Sequence, residues 1–451
     1  MTPLAVPPFS PIGLAICIFF ILLVPFAGAG LALINTGLGR SRSAAHSMLA
    51  SLCVMAVAAT VYIVLGFSWQ GFIGRPAHVL TVGGKGWNWI AAEPFFARGL
   101  ALDGSPASLA AFLQMLSVGL AAMIPLGSGA DRWRLGAVLA STALLAGVTY
   151  PLFAHWVWGG GWLAQLGVNN GLGRGFIDAG GASSIQALGG LTALAIAWIL
   201  GPRLGKYSPE GMPAAIPGHN AVLVLFACLL TLIGWLGLNS AGAILFTGAP
   251  PGQVVLIGVN TTLAAASALL AAAVVTRARF GKPDASLCAN GWVGGLVASS
   301  AACAFTTPIL AIVIGLVAGA LVTLSVEWFE LRLAVDDPGG AISVHAVGGL
   351  WGVLAVGLFA RFPSGRVVDV TPLGLAQLRL PGSNSLQWLA QLIGIATLIG
   401  FVLPLTYGLN WLLNRFYALR VSSDGERQGM DLYELGAGAY PEIDTTNEEF
   451  M

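Results

Sequence analysis

Charge is scarce in this sequence: Asp, Glu, Lys and Arg make up only 9% of its 451 residues. A soluble surface needs about 25% charged residues, so a soluble globular domain is excluded. Cysteine offers no framework either. Cys17, Cys53, Cys228, Cys288 and Cys303 all fall in apolar stretches without CxxC spacing, which reads as small packing residues, not a disulfide or metal set. There is no nucleotide-binding glycine loop, no HExxH motif and no nucleophile–base pattern among the five histidines, of which His46, His78 and His219 sit near loops. No enzyme, cofactor or metal site is therefore expected. The net charge of +1 gives nucleic acid nothing to bind.

What is abundant is apolar sequence and glycine, at 57% hydrophobic residues and 61 glycines. Together they describe an all-α integral membrane protein whose helices pack closely through small side chains. Stretches long enough to cross a ~30 Å hydrocarbon core lie near 12–34, 45–67, 107–129, 134–157, 182–200, 219–246, 253–275, 286–304, 308–331, 341–360 and 387–413. Eleven membrane spans are expected, the first of them retained, since it lacks a basic leader region. Basic residues favour cytoplasmic loops. An outside N-terminus and inside C-terminus put Arg40, Arg42, Arg132, Arg134, Arg203, Lys206, Arg277, Arg279, Lys282, Arg332, Arg415, Arg420 and Arg427 on the inner side, thirteen of the twenty. The outer loops are then 68–106, 158–181 and 361–386, with Trp69, Trp87, Trp89 and Trp158 near the interface. Residues 1–414 form the transmembrane domain and 415–451 a cytoplasmic tail with an acidic, solvated end from Glu442 to Met451.

One passage occurs twice. Ser184-Ile185-Gln186-Ala187-Leu188-Gly189-Gly190-Leu191 and Ser343-Val344-His345-Ala346-Val347-Gly348-Gly349-Leu350 match at every polar and glycine position except Gln186/His345. The copies begin spans five and ten, so the halves, about 12–200 and 219–360, hold five spans each and cross the membrane in opposite senses. Inverted repeats are a transporter architecture with a path where equivalent positions converge. Gln186 and His345 are expected to face each other there. Asp178, eight residues before Gln186, reads as a helix N-cap that also shapes a cation-attracting vestibule. Asn239 is expected to break span six within Gly234-Trp235-Leu236-Gly237-Leu238-Asn239.

Taken in order, Trp158-Gly159-Gly160-Gly161, Asp178 with its glycine pair, Gly234-Trp235-x-Gly-x-Asn239, Asn290-Gly291-x-x-Gly294-Gly295 and Val335-Asp336-Asp337-Pro338 resemble the Amt branch of the Amt/Mep/Rh ammonium transporters. The resemblance covers the whole chain, down to Gly429-Met430-Asp431 and Ala439-Tyr440. It implies a homotrimer with one pore per subunit in a cell membrane, that of a bacterium being the inner one. Ammonium is recruited by an outer aromatic vestibule, then passes a two-phenylalanine gate and two pore histidines. By the same resemblance Trp158 is the vestibule tryptophan, Asp178 the acid below it and His345 the second pore histidine. Gln186 stands at the first histidine's place; a one-residue shift makes it Ile185, and the repeat favours Gln186. Ser117, counted back from Ala130-Asp131-Arg132, and Leu238 stand at the gate, and Gly242 at the vestibule hydroxyl.

These differences predict a divergent pore. Glutamine holds hydrogen bonds but does not titrate, and Ser117 and Leu238 leave a wider gate with Trp158 as the main aromatic remaining. The expected function is ammonium or ammonia transport; the alternative is a non-conducting receptor or sensor on the same scaffold. Leu435-Gly436-Ala437 replaces the family's His-Gly-Glu tail stretch, which weakens the expectation that a PII-type signal protein docks at the cytoplasmic face.

Overall fold

The computed structural model describes residues 9–362 and 386–440. Most of the loop 361–386 and the acidic end from Glu442 lie outside the described residues. Among the described residues ten helices are long and apolar enough to cross a membrane: α1 Pro11–Leu38, α2 Ser41–Gln70, α3 Pro106–Gly129, α4 Leu135–Trp158, α5 Ala182–Leu200, α6 Ala221–Thr247, α7 Pro251–Phe280, α9 Pro308–Leu333, α10 Ile342–Phe359 and α11 Gln387–Phe416. The stretch expected at 286–304 divides differently. Helix α8, Ala285–Ser299, has 15 residues, about 22 Å at 1.5 Å per residue, and turns follow it to Ser300 and beyond.

Two details depart from expectation. The loop between α2 and α3 folds into an antiparallel hairpin, β1 Ala77–Val82 and β2 Lys85–Ala91, so the chain is nearly, not wholly, helical. Helix α6 also runs unbroken from Ala221 to Thr247, so Asn239 does not interrupt it. Asn239 is fully buried, and its amide donates to Thr261 Oγ1 at 2.9 Å and Ser299 Oγ at 3.4 Å. Its NH2 group is paired with hydroxyls on neighbouring helices and does not compete with the backbone ladder of α6, while its Oδ1 has no partner.

Helix α1 lies along α6, its counterpart in the other half. The close approach depends on small residues: a Cβ at Gly234 would collide with the backbone of Ala27, and one at Gly237 would sit 2.5 Å from the Phe20 carbonyl. Helices α3 and α5 are the most enclosed, with 83% and 89% of their most apolar stretch buried against 28% for α2, which puts α3 and α5 at the centre. The bundle has two distinct ends. The hairpin end carries β1 and β2, which dock on α4 through Trp156 Nε1 donating to the Trp89 carbonyl at 2.7 Å. The tail end carries Arg132, Arg203 and the C-terminal segment.

Candidate functional site

The doubled passage forms the centre of the molecule. Helices α5 and α10 each open with a wide, π-type turn, at Ala182–Ala187 and Ile342–Val347, a feature often found at functional sites. Each turn is preceded by a glycine in the left-handed region, Gly181 at φ 94° and Gly340 at φ 65°, which lets the chain enter the helix sharply. The two starts cross in a reciprocal way. A Cβ at Gly190 would strike the backbone of His345 and Ala346, and one at Gly349 would lie 2.5 Å from the Ala182 carbonyl.

At the crossing, His345 Nδ1 and Gln186 Oε1 are 2.8 Å apart. An amide oxygen only accepts, so Nδ1 donates, and the neutral ring keeps its lone pair on Nε2. Gln186 is fully buried, His345 4% exposed, and the Gln186 Nε2 amide has no hydrogen-bond partner. A buried donor left unmade costs about 1–3 kcal/mol. The centre thus presents one imidazole acceptor and one unused amide donor.

Asp178 caps α5 more completely than one N-cap requires. Its Oδ1 accepts from Gly181 N at 2.8 Å and Ala182 N at 2.9 Å, and its Oδ2 from Ser183 N at 2.8 Å, Ser184 N at 3.2 Å and the Ser183 hydroxyl. Burial pushes the Asp178 carboxyl up, against these donors. Asp337 does the same for α10, accepting from Ala341 N at 3.1 Å, Ile342 N at 2.8 Å and Ser128 Oγ at 2.6 Å. In the sequence Asp337 stands only within the Val335-Asp336-Asp337-Pro338 motif, with no capping role given to it. The signal was present, because Asp178-x-Gly-Gly and Asp337-x-Gly-Gly stand at the 159-residue offset that relates Gln186 to His345.

At the hairpin end a recess leads toward Asp178. Trp158 donates its indole N–H to the Asp178 carbonyl at 2.7 Å and stacks on Phe246, ring centroids 4.6 Å apart. Phe176, Phe305 and Phe362 also line the recess, so Trp158 is not the main aromatic left there. These five rings come from five separate segments of the chain, and no sequence spacing marks them as a group. The Arg174 guanidinium lies 4.6 Å from the Phe362 ring centroid. Gly242 lies behind this wall, where a Cβ would strike the Ala179 carbonyl; no side chain fits there.

Ser117 and Leu238 are each 1% exposed. Ser117 Oγ donates to the Leu113 carbonyl at 2.8 Å, and its neighbour one turn back, Gln114, is hydrogen-bonded by the Tyr150 hydroxyl. The structure therefore brings Gln186 and His345 together and joins Trp158 to Asp178. Asn239 sits against Gly180, where a Cβ would meet its amide carbon at 3.0 Å.

At the tail end, Arg203 holds Asp336 through Nε and Nη2 at 2.9 and 3.0 Å and reaches Asp131 at 3.0 Å. Burial pushes the Asp336 carboxyl up, but the Arg203 hydrogen bonds and the Arg132 and Arg203 charges outweigh it and hold it below the usual range. Arg132, wholly buried, donates to the carbonyls of Gly201 at 2.8 Å and Asp336 at 2.9 Å. The C-terminal segment closes over this cluster. Asp431 accepts from the Ala45 and His46 amides at 3.1 and 2.7 Å, Glu434 from the Leu135 amide and His46 Nε2 at 2.8 Å each, and Glu426 from the Leu204 amide at 2.6 Å.

The sequence profile of the Ammonium Transporter Family matches residues 15–440. The chain is 35% identical to the ammonium transporter Amt2 of Archaeoglobus fulgidus, over 95% of this chain and 88% of that protein. It is 30% identical to an ammonium transporter of Bacillus subtilis, over 94% and 96%. Among solved structures, one titled Sensor Amt Protein superposes with a TM-score of 0.81 at 30% identity, covering 94% of this chain and 98% of that one. Candida albicans Mep2 shares the fold at a TM-score of 0.77 and 23% identity, covering 97% and 92%.

Proposed function

The chain belongs to the ammonium transporter family, and on that premise we propose that it carries ammonium or ammonia through its own bundle by way of Gln186 and His345. The observation that carries this reading is their 2.8 Å hydrogen bond where the two inverted helix starts cross. The hairpin end faces out and the tail end in, with α8 and the turns after it completing an eleventh crossing. The trimer, with one path per subunit in a bacterial inner membrane, is part of the same proposal.

The chemistry follows from desolvation. A bare cation between apolar helices loses its hydration at a cost of several kcal/mol, whereas neutral ammonia loses far less. Ammonium gathers at the Trp158 recess and gives up its proton before the buried centre. Ammonia then donates to His345 Nε2 and accepts from the Gln186 amide. Neither potassium nor sodium can make that pair of contacts. Because Gln186 does not titrate, the proton is not relayed from one ring to another; it returns outward or crosses separately. Ser117 and Leu238, both buried, form the gate, which opens by side-chain motion. Asn239 and Gly242 brace the Asp178 turn.

The test is flux in proteoliposomes between about pH 5 and 8, with ammonium and methylammonium as substrates. Saturable uptake or current that potassium does not evoke is expected; none at any pH sinks the transport reading. A second reading, a non-conducting ammonium receptor, is favoured by the likeness to the sensor structure and by the burial of Ser117 and Leu238. It predicts saturable binding without flux. A PII-type protein at the tail end is the candidate regulator in either case, competing with the docked C-terminal segment for the inner loops.

A further inference from the structure

We propose that the recess at the hairpin end prefers alkyl-substituted, weakly hydrated ammonium ions over ammonium itself. The inference rests on the reading of this recess as the entrance for a cation and goes on to name which cation it holds best.

Ammonium carries four N–H donors and exchanges its water shell only for acceptors. The recess offers few. Among the described residues lining it, only Asp178 and Thr247 carry a side-chain oxygen that accepts. The Asp178 carboxylate is already filled by four backbone N–H groups and the Ser183 hydroxyl. The Thr247 hydroxyl donates its proton to the Ala243 carbonyl at 2.7 Å, so its oxygen is the one free side-chain acceptor in the lining. Gly242, at the place the family resemblance gives to a hydroxyl, has no oxygen to offer and no room for one.

Rings are what the recess has instead. Trp158 and Phe246 stack at 4.6 Å, and Phe305 and Phe362 meet at 4.9 Å, around a cavity of about 70 Å³. A ring face attracts positive charge without needing a donor in return, and groups of rings select methylated ammonium ions because their hydration is easily lost. The recess already holds a cation of that kind. The Arg174 guanidinium, weakly hydrated and planar, lies 4.6 Å from the centroid of Phe362. Rings in surplus and acceptors in deficit reverse the order that a recess lined with hydroxyl and carboxylate oxygens would give.

The experiment measures binding of ammonium, methylammonium and tetramethylammonium chloride to the full chain in lipid nanodiscs by calorimetry, with ammonium currents recorded from the same preparation in proteoliposomes. The expected order of affinity is tetramethylammonium, methylammonium, ammonium. Tetramethylammonium, too large for the gate, blocks any ammonium current from the outer side. Phe246→Leu and Phe305→Leu each lower the ratio of tetramethylammonium to ammonium affinity about two- to thirtyfold, and Phe246→Tyr restores it. Ammonium binding as tightly as tetramethylammonium, or a ratio untouched by both leucine variants, overturns the proposal. Current that tetramethylammonium fails to block also overturns it and leaves transport standing. Ring-dependent tetramethylammonium binding in a chain that passes no current keeps the proposal and removes transport.

Discussion

Gln186 is the residue on which the chemistry turns. Its oxygen holds His345 in one tautomer, and its amide hydrogens are unspent. A second imidazole at this position adds a group able to take up a proton, which the amide is not. Gln186→His should therefore change the pH dependence of transport relative to the parent, seen as a different slope of the rate profile between about pH 5 and 8. Gln186→Leu keeps the volume and removes the acceptor, freeing the His345 tautomer, and should cut flux at least about tenfold. Asp178 is different in kind. Its carboxylate satisfies five donors, and Asp178→Ala leaves buried N–H groups bare, costing on the order of 3–5 kcal/mol. The expected readout is a lower unfolding temperature in detergent, with Asp178→Asn falling between.

At the scale of elements, the tail is held by acids that cap helices from outside them. Glu434 receives the first amide of the segment opening at Leu135 while accepting from His46. Burial pushes the Glu434 carboxyl up, but the His46 hydrogen bond and the Leu135 amide outweigh it, and the group stays below its ordinary range. A carboxyl depressed by docking stabilises the docked state above its free pKa and loses that effect as pH falls through its lowered value. Protection of the Leu135 amide, its exchange rate taken relative to the intrinsic rate at each pH, should accordingly fall below about pH 4, and in Glu434→Gln this acid dependence of protection should disappear. Unchanged exchange across that range contradicts the capping role.

The elements also show what the sequence made legible. Scarce charge and long apolar runs located ten of the long helices within a few residues, because burial in lipid leaves no other composition available. The repeat led straight to Gln186 and His345. It stopped six residues short of Asp337, since the identity between the copies lapses at 183 and 342, and again at 179 and 338, before resuming at the acid. The hairpin was missed because it lies in a loop where hydropathy is uninformative. Asn239 was misjudged because a buried polar side chain in an apolar run resembles a break, and only the facing hydroxyls of Thr261 and Ser299 show that its NH2 group is held, its Oδ1 having no partner. Phe246, Phe305 and Phe362 become a wall only through tertiary packing.

On the scale of the molecule, two inverted halves meet at one buried pair, with opposite chemistry at the two ends: rings at one, and a cluster of arginines and carboxylates under a docked tail at the other. The orientation assigned to them is testable by itself. A cysteine introduced at Ser423 should react with an impermeant thiol reagent only in inside-out vesicles, and one at Thr81 in the hairpin only in right-side-out vesicles; the reverse pattern inverts the assignment.

The central claim is that solute passes the Gln186–His345 pair. Its most direct test is the ammonium-evoked current of proteoliposomes containing the parent chain or His345→Ala, at matched protein density. The account predicts a saturable current in the parent and a loss of at least about tenfold in the variant. Equal currents in the two proteins would contradict it.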